Sequence, residues 1–327
     1  MKESTIWNQL VAQGPFGVLA PMDDVTDVVF RPLVHALAPA DLYMTEFASV
    51  EGFCSSGRPA IERRLHLASD EGPVIAQIWG TTPEHYRTMA SELATRGFAG
   101  IDINMGCPVK DVTKTGACSA LMQTPELAAE IIAATKQGAG ELPVSVKTRL
   151  GWHKPAIEEW LGFLFQQDIA ALTIHLRTVK EMSKVPAHWD LMPDVVKLRD
   201  RLAPHTVIVG NGDVQNRTDG QVMIKRFGGD GFMLGRGIFH NPWAFESQPR
   251  EHSVEERLRV LSQHLERFEA AWPRSEKRYE PLKKFFKIYI QGFDGAAHLR
   301  AELMATKSLD QARELIKKYT PDAVSGV

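Results

Sequence analysis

Short runs of β-branched and aliphatic residues alternate along this chain with longer stretches whose apolar residues recur at helical spacing. Eight of the short runs end in polar or glycine-containing sequence, at 16–21, 42–47, 74–79, 100–104, 144–149, 171–175, 206–210 and 231–234. Their length and side chains predict strands. The intervening stretches predict helices. Two of them, 83–96 and 125–137, open on a threonine followed by proline, residues suited to a cap and a first helical position. Such alternation predicts βα units around a parallel sheet. Eight units favour closure, so the expected fold is α/β, a (β/α)8 TIM barrel, with an open doubly wound sheet as the alternative topology.

Beyond Leu234 the texture changes. From about residue 251 to 319 no strand-like run occurs, and Leu258, Leu261, Leu265 and Phe268 recur at helical spacing. The stretch 248–253 reads as a joint, with Ser253 capping the next helix through Glu256 three residues on. The expected organisation is a barrel over residues 1–248 and a small all-helical C-terminal domain over 249–327.

Composition narrows the function classes. Across 327 residues, 44% are hydrophobic and 24% charged, with a net charge of −2, which describes a soluble globular protein. No apolar run approaches the roughly 18 residues of a membrane helix, and residues 1–13 lack a signal-peptide core. A cytoplasmic monomer is expected, with no membrane association. Cys54, Cys107 and Cys118 are too few and scattered for a disulfide framework or a metal knuckle, so free thiols and no metal are expected. HExxH, Walker and GxGxxG signatures are absent. The charge is polarised: residues 250–320 carry a net +4 and the first 249 a net −5.

The chemistry centres on residues 101–109. Their first half alternates as a strand would, and the second breaks at Gly106 and Pro108, which places Cys107 just past a strand end. In a parallel barrel that is the rim where ligands bind. Every distinctive polar cluster falls at such an end: Ala20-Pro21-Met22, Gln77, Asn104 with Cys107, Lys147 with Arg149, His175 with Arg177, Asn211-Gly212-Asp213 and Gly235-Arg236-Gly237. The last two follow the seventh and eighth predicted strands, where backbone N–H groups of such barrels commonly hold a phosphate. A phosphorylated ligand is implied.

Taken in order, Leu19 to Met22, Thr26-Asp27, Phe30-Arg31, Asp102 to Pro108, Val146 to Arg149, Ile174-His175, Gly210 to Asp213 and Gly235 to Gly237 resemble the tRNA-dihydrouridine synthases. The resemblance runs from about Leu19 to Gly237, and a helical C-terminal domain also fits that family. It implies bound flavin mononucleotide (FMN), NADPH as reductant, and reduction of the C5–C6 double bond of particular uridines in tRNA. Hydride would reach C6 from flavin N5, and Cys107 would give a proton to C5 as general acid. At an ordinary thiol pKa near 8.5, Cys107 would stay protonated at neutral pH unless nearby cations stabilised the thiolate.

By the same resemblance Ala20, Pro21, Met22, Gln77, Lys147, His175, Asn211, Gly212, Asp213, Gly235 and Arg236 would hold the flavin. Lys147 would sit at its N1/O2 edge and Gln77 at its pyrimidine portion. Asn104 and Arg177 would face the substrate, Asn104 bonding the flipped-out uracil. Leu176 departs from the family's usual glycine and would leave less room there.

A net charge of −2 is not that of an electrostatically driven RNA binder, so a local patch must carry binding. The candidate is 274–287, with Arg274, Lys277, Arg278, Lys283, Lys284 and Lys287 interleaved with Tyr279, Phe285 and Phe286, and with Arg300 in support. Two competing readings are a flavin barrel acting on a small molecule, as in dihydroorotate dehydrogenases or enoate reductases, and a catalytically silent RNA-binding protein. The basic helical region argues against the first, and the intact Cys107, Lys147 and Gln77 set against the second.

Overall fold

The computed structural model describes residues 5–273 and 277–319. Its sheet has strands β1 (Phe16–Leu19), β2 (Leu42–Met44), β3 (Ala48–Ser49), β4 (Val74–Trp79), β5 (Gly100–Met105), β6 (Val144–Arg149), β7 (Ala171–His175), β8 (Val207–Asn211) and β9 (Gly231–Leu234), all paired in parallel. Their order is β2-β1-β9-β8-β7-β6-β5-β4-β3, and a further β2–β4 pairing closes an eight-stranded barrel. The two-residue β3 only extends the edge of β4. The predicted strand 42–47 is therefore interrupted. Thr45 is the reason: its hydroxyl accepts the Gln77 N–H at 3.0 Å and donates to the Glu46 carbonyl at 2.7 Å, which takes these groups out of a regular ladder.

Helices cover the outer face, so the strands are buried on both sides and read as near-continuous apolar runs. Alternation along each strand still sorts the barrel interior by height. Toward the N-terminal ends it holds Trp7, Phe16, Ile75 and Val207. Toward the C-terminal ends the same face carries Gln77, Asp102, Asn104, Ser145, Lys147, His175 and Asn211. Register sets these side by side: Asn104 opposite Lys147, Arg149 opposite His175, and His175 opposite Asn211.

The two Thr-Pro helices are present as Pro83–Leu93 and Pro125–Ala139. Neither threonine caps through its side chain; Glu51 instead accepts the N–H groups of Thr81 and Thr82 at 2.7 and 3.1 Å. After β9 no strand occurs among the described residues. Helix Val254–Ala271 starts at a capping box, with Ser253 Oγ accepting from the Glu256 N–H at 3.1 Å and Glu256 accepting from the Ser253 N–H at 2.8 Å. Its buried face is Leu258, Leu261, Leu265 and Phe268, as its spacing predicts.

Helices Phe286–Tyr289, Ala296–Ala305 and Leu309–Tyr319 follow. They join the barrel through one continuous apolar cluster, in which Phe30 meets Phe285 at 5.1 Å between ring centres. An ion pair of 2.9 Å from Lys277 to Asp27 ties the same two regions. No described helix is long and apolar enough to cross a membrane.

Candidate active site

A cavity of about 430 Å³ opens at the C-terminal rim. Ala20, Pro21 and Met22 line it after β1, Lys147 and Arg149 from β6, His175 from β7, Asn211, Gly212 and Asp213 at and after β8, and Gly235 and Arg236 after β9. Ten of the eleven residues expected to hold a flavin thus share one cavity. Parallel strands of similar length bring their C-terminal ends to one level, which is why motifs spread from Ala20 to Arg236 converge.

Charge defines the cavity. Lys147, Arg149 and Arg236 face it, and its carboxylate, Asp213, is already paired with the buried Arg177 at 2.5 Å. Burial favours a neutral Asp213, but hydrogen bonds from Arg177 and the Ala187 N–H outweigh it and hold the carboxyl below its ordinary value. Burial first, then Arg149, pull the Lys147 ammonium down to about 8. It donates to Asn211 Oδ1 at 3.3 Å. Burial, reinforced by Arg149, Lys147, Arg177 and Arg236, keeps His175 neutral. Arginine only donates, so its Nη1 contact of 3.0 Å to His175 Nε2 places the imidazole proton on Nδ1. Gly212 stands at φ +133°, and a Cβ there would lie 2.7 Å from the Ala187 Cβ. Only glycine fits.

Cys107 lies beside this cavity on a loop whose backbone is held from every side. Arg149 Nε donates to the Gly106 carbonyl at 2.8 Å and Ser119 Oγ to the Cys107 carbonyl at 2.8 Å. The N–H groups of Gly106 and Cys107 both donate to Asn104 Oδ1, at 3.1 and 3.0 Å. The thiol is half-buried. A hydrogen bond from Cys118, one from the Val109 backbone, and the charges of Arg149 and Lys147 outweigh burial and pull it down to about 6. These are the cations that the ordinary value leaves out. Cys118, expected as a free thiol, is buried, has its thiol on Cys107 and is pushed well above its ordinary value.

Several expected ligand contacts are engaged inside the protein. Gln77 lies beneath the cavity, its Nε2 on Asp102 at 2.8 Å and its Oε1 accepting from Asn104 Nδ2 at 3.0 Å. Arg177 is buried on Val185, His175 and Asp213. Leu176 is fully buried and does not line the cavity. Arg149 emerges instead as a cavity residue, and its spacing of two from Lys147 on one strand was the available signal. Ser183, Gln215 and His240 also line it from loops, without any sequence pattern to mark them.

The basic patch divides likewise. Lys284 and Lys287 are exposed and, with Arg300, flank a groove of about 460 Å³. Lys283 lines the same groove but is buried, its ammonium on the Met304 carbonyl at 3.1 Å and over the Tyr279 ring. Lys277 is committed to Asp27. Arg274 lies outside the described residues. No cluster of three or more potential metal ligands occurs among those described.

Comparison with known proteins gives a consistent result. The sequence model of the family described as dihydrouridine synthase (Dus) matches residues 18–324. A probable tRNA-dihydrouridine synthase of Staphylococcus epidermidis is 50% identical over 321 residues, 98% of this chain and 97% of that one. A probable tRNA-dihydrouridine synthase 2 of Bacillus subtilis is 47% identical over 323 residues, 98% of each chain. Among solved structures, 2-naphthoyl-CoA reductase superposes with a TM-score of 0.54 at 9% identity, over 70% of this chain and 49% of that one. Morphinone reductase gives 0.50 at 12% identity, over 70% and 84%. At such identities the likeness is one of fold.

Proposed function

The chain belongs to the dihydrouridine synthase family, and from that premise we propose that its rim cavity holds FMN and that Cys107 protonates the uracil of a tRNA nucleotide. It is an oxidoreductase, a tRNA-dihydrouridine synthase that saturates the C5–C6 double bond of uridine in tRNA. The observation carrying the proposal is the cation-lined cavity at the ends of β1, β6, β7, β8 and β9, placed beside the Cys107 loop. Its volume, its excess of positive charge and the glycine turns after β8 and β9 fit a phosphorylated flavin.

When bound, FMN would supply the hydride, with NADPH as the source of its electrons. Every other role falls to the chain. Lys147, cationic below about pH 8, offers a charge-assisted donor from the cavity wall to an anionic ring edge. Arg236 and the turns at Gly212 and Gly235 face the position of a phosphate. Cys107 must carry its proton when C5 accepts it. In the ligand-free protein the hydrogen bond from Cys118, then the Val109 backbone, Arg149 and Lys147, favour the thiolate, and negative charge brought into the cavity would oppose the two cations and favour the protonated thiol. Asn104 and Arg177 contribute by holding the Cys107 loop and the Asp213 turn. Lys284, Lys287 and Arg300 form the RNA-facing patch, within a helical C-terminal domain, and a cytoplasmic location follows from the substrate.

Purified protein should be yellow, with flavin absorbance bands. Anaerobic addition of NADPH and unmodified tRNA should yield dihydrouridine on nucleoside analysis, and Cys107→Ala should abolish it. A yellow protein inert on tRNA would favour a small-molecule reductase, and failure to take up flavin would remove the cavity assignment.

A further inference from the structure

β5 is buried along its whole length, yet it carries Asp102, with no exposed surface, and Asn104. A buried carboxylate is costly, and an apolar residue would pack the barrel interior as well. Its hydrogen bonds indicate what the charge is for. Ser145 Oγ donates to Asp102 Oδ1 at 2.6 Å, and Gln77 Nε2 donates to Oδ2 at 2.8 Å. Gln77 must then present Oε1 to its other neighbour, where Asn104 Nδ2 donates at 3.0 Å. That in turn leaves Asn104 Oδ1 to accept from the N–H groups of Gly106 and Cys107.

Each orientation dictates the next. An ionised carboxylate only accepts, so neither amide is free to turn over. Reversing them would set an amide oxygen against Asp102 and, at the far end, an NH2 group against two backbone donors. The loop carbonyls have anchors of their own in Arg149 and Ser119, whereas both loop N–H groups depend on Asn104.

We propose that Asp102 is a positioning residue for the reaction: through Gln77 and Asn104 it fixes the polarity of the hydrogen bonds that hold the Cys107 loop, and so the direction in which the thiol is presented. The proposal rests on the reading of Cys107 as the proton donor. Burial raises the Asp102 carboxyl to about 6, against the opposing pull of Ser145, Gln77 and Lys147, so the acceptor-only form prevails at neutral pH. The Asp102 charge also supports the ammonium of Lys147.

Substitution separates polarity from charge. Asp102→Asn keeps an oxygen for Gln77 Nε2 and loses the charge, while Asp102→Leu loses both. The readout is iodoacetamide alkylation of Cys107 against pH, followed by peptide mass spectrometry, with tRNA turnover measured in parallel. Asp102→Leu should move the alkylation midpoint up by at least about one pH unit toward the ordinary thiol value. It should also lower kcat about ten-fold or more with KM for tRNA unchanged. Asp102→Asn should restore most of both. Should Asp102→Leu not fold, Gln77→Met breaks the relay at its midpoint and should give the same midpoint shift.

A wild-type alkylation profile in whichever of these two variants folds overturns the proposal. So does an Asp102→Asn variant as impaired as Asp102→Leu. A Cys107→Ala variant that still makes dihydrouridine would instead sink the proton-donor reading, and leaves the alkylation profiles to be judged separately.

Discussion

Cys107 faces demands that pull its proton in opposite directions. A general acid must be protonated, yet Cys118, Arg149 and Lys147 stabilise the thiolate and bring the group to about 6. In the ligand-free protein, alkylation of Cys107 should therefore rise through a midpoint near pH 6. The exposed Cys54, held above its ordinary value by burial and then Glu92, should respond only at higher pH and serves as an internal reference. Adding FMN should move the Cys107 midpoint upward, and a midpoint unmoved by saturating flavin would contradict the placement of the cavity beside the thiol.

Glu46 titrates in the opposite sense. Burial, then the charge of Asp27, raise it from 4.5 to about 7. Its ionisation thus opposes folding: the penalty is absent below about pH 4.5, grows as pH rises and is complete above 7. Glu46→Gln keeps an oxygen for the Asp24 N–H, so it should raise the melting temperature at pH 8 and leave it unchanged near pH 4.5.

Among the elements, the turn after β8 supplies one wall of the cavity. Gly212 combines a left-handed φ with a close approach to Ala187. Gly212→Ala should cost about 1–3 kcal/mol of stability and release flavin, as measured by thermal melts and by flavin fluorescence in the filtrate. Wild-type flavin retention would show that this turn does not shape the binding site. Much of this scale was legible in sequence. Six of the eight predicted strand runs match the observed bounds or fall within one residue of them at both ends, because parallel strands buried on both faces leave continuous apolar runs. The 42–47 run was not, because its interruption depends on Thr45 meeting Gln77 from another strand.

Over the whole molecule, the question is how a chain with a net charge of −2 grips a polyanion. The structure divides the basic run by exposure. Lys284→Glu with Lys287→Glu should weaken tRNA binding at least about ten-fold and lower the slope of log affinity against log salt by about 1–2, since each phosphate contact contributes roughly 0.7–0.9. Flavin content should not change. Lys283→Glu is predicted to act differently, by placing a carboxylate against the Met304 carbonyl and lowering stability before it affects binding. Equal tRNA affinity in the double variant and wild type would remove the patch from the interface.

Local pattern by itself determined the strand and helix alternation, the position of Cys107 past a strand end and the placement of the polar clusters at strand ends, while it favoured barrel closure over an open sheet and left the β2–β4 pairing to complete it. These follow from periodicity and from the geometry of parallel strands, which depend on near neighbours in the chain. Tertiary structure decided which polar side chains face the cavity and which serve the protein. Gln77, Asn104 and Arg177 carry the same functional groups as ligand contacts do, but partners brought from β5, from the Cys107 loop and from Asp213 use those groups internally. The pairing of Cys118 with Cys107 and the burial of Lys283 have the same origin. Donor and acceptor capacity is written in the residue, whereas the partner that takes it up is set by segments tens of residues away.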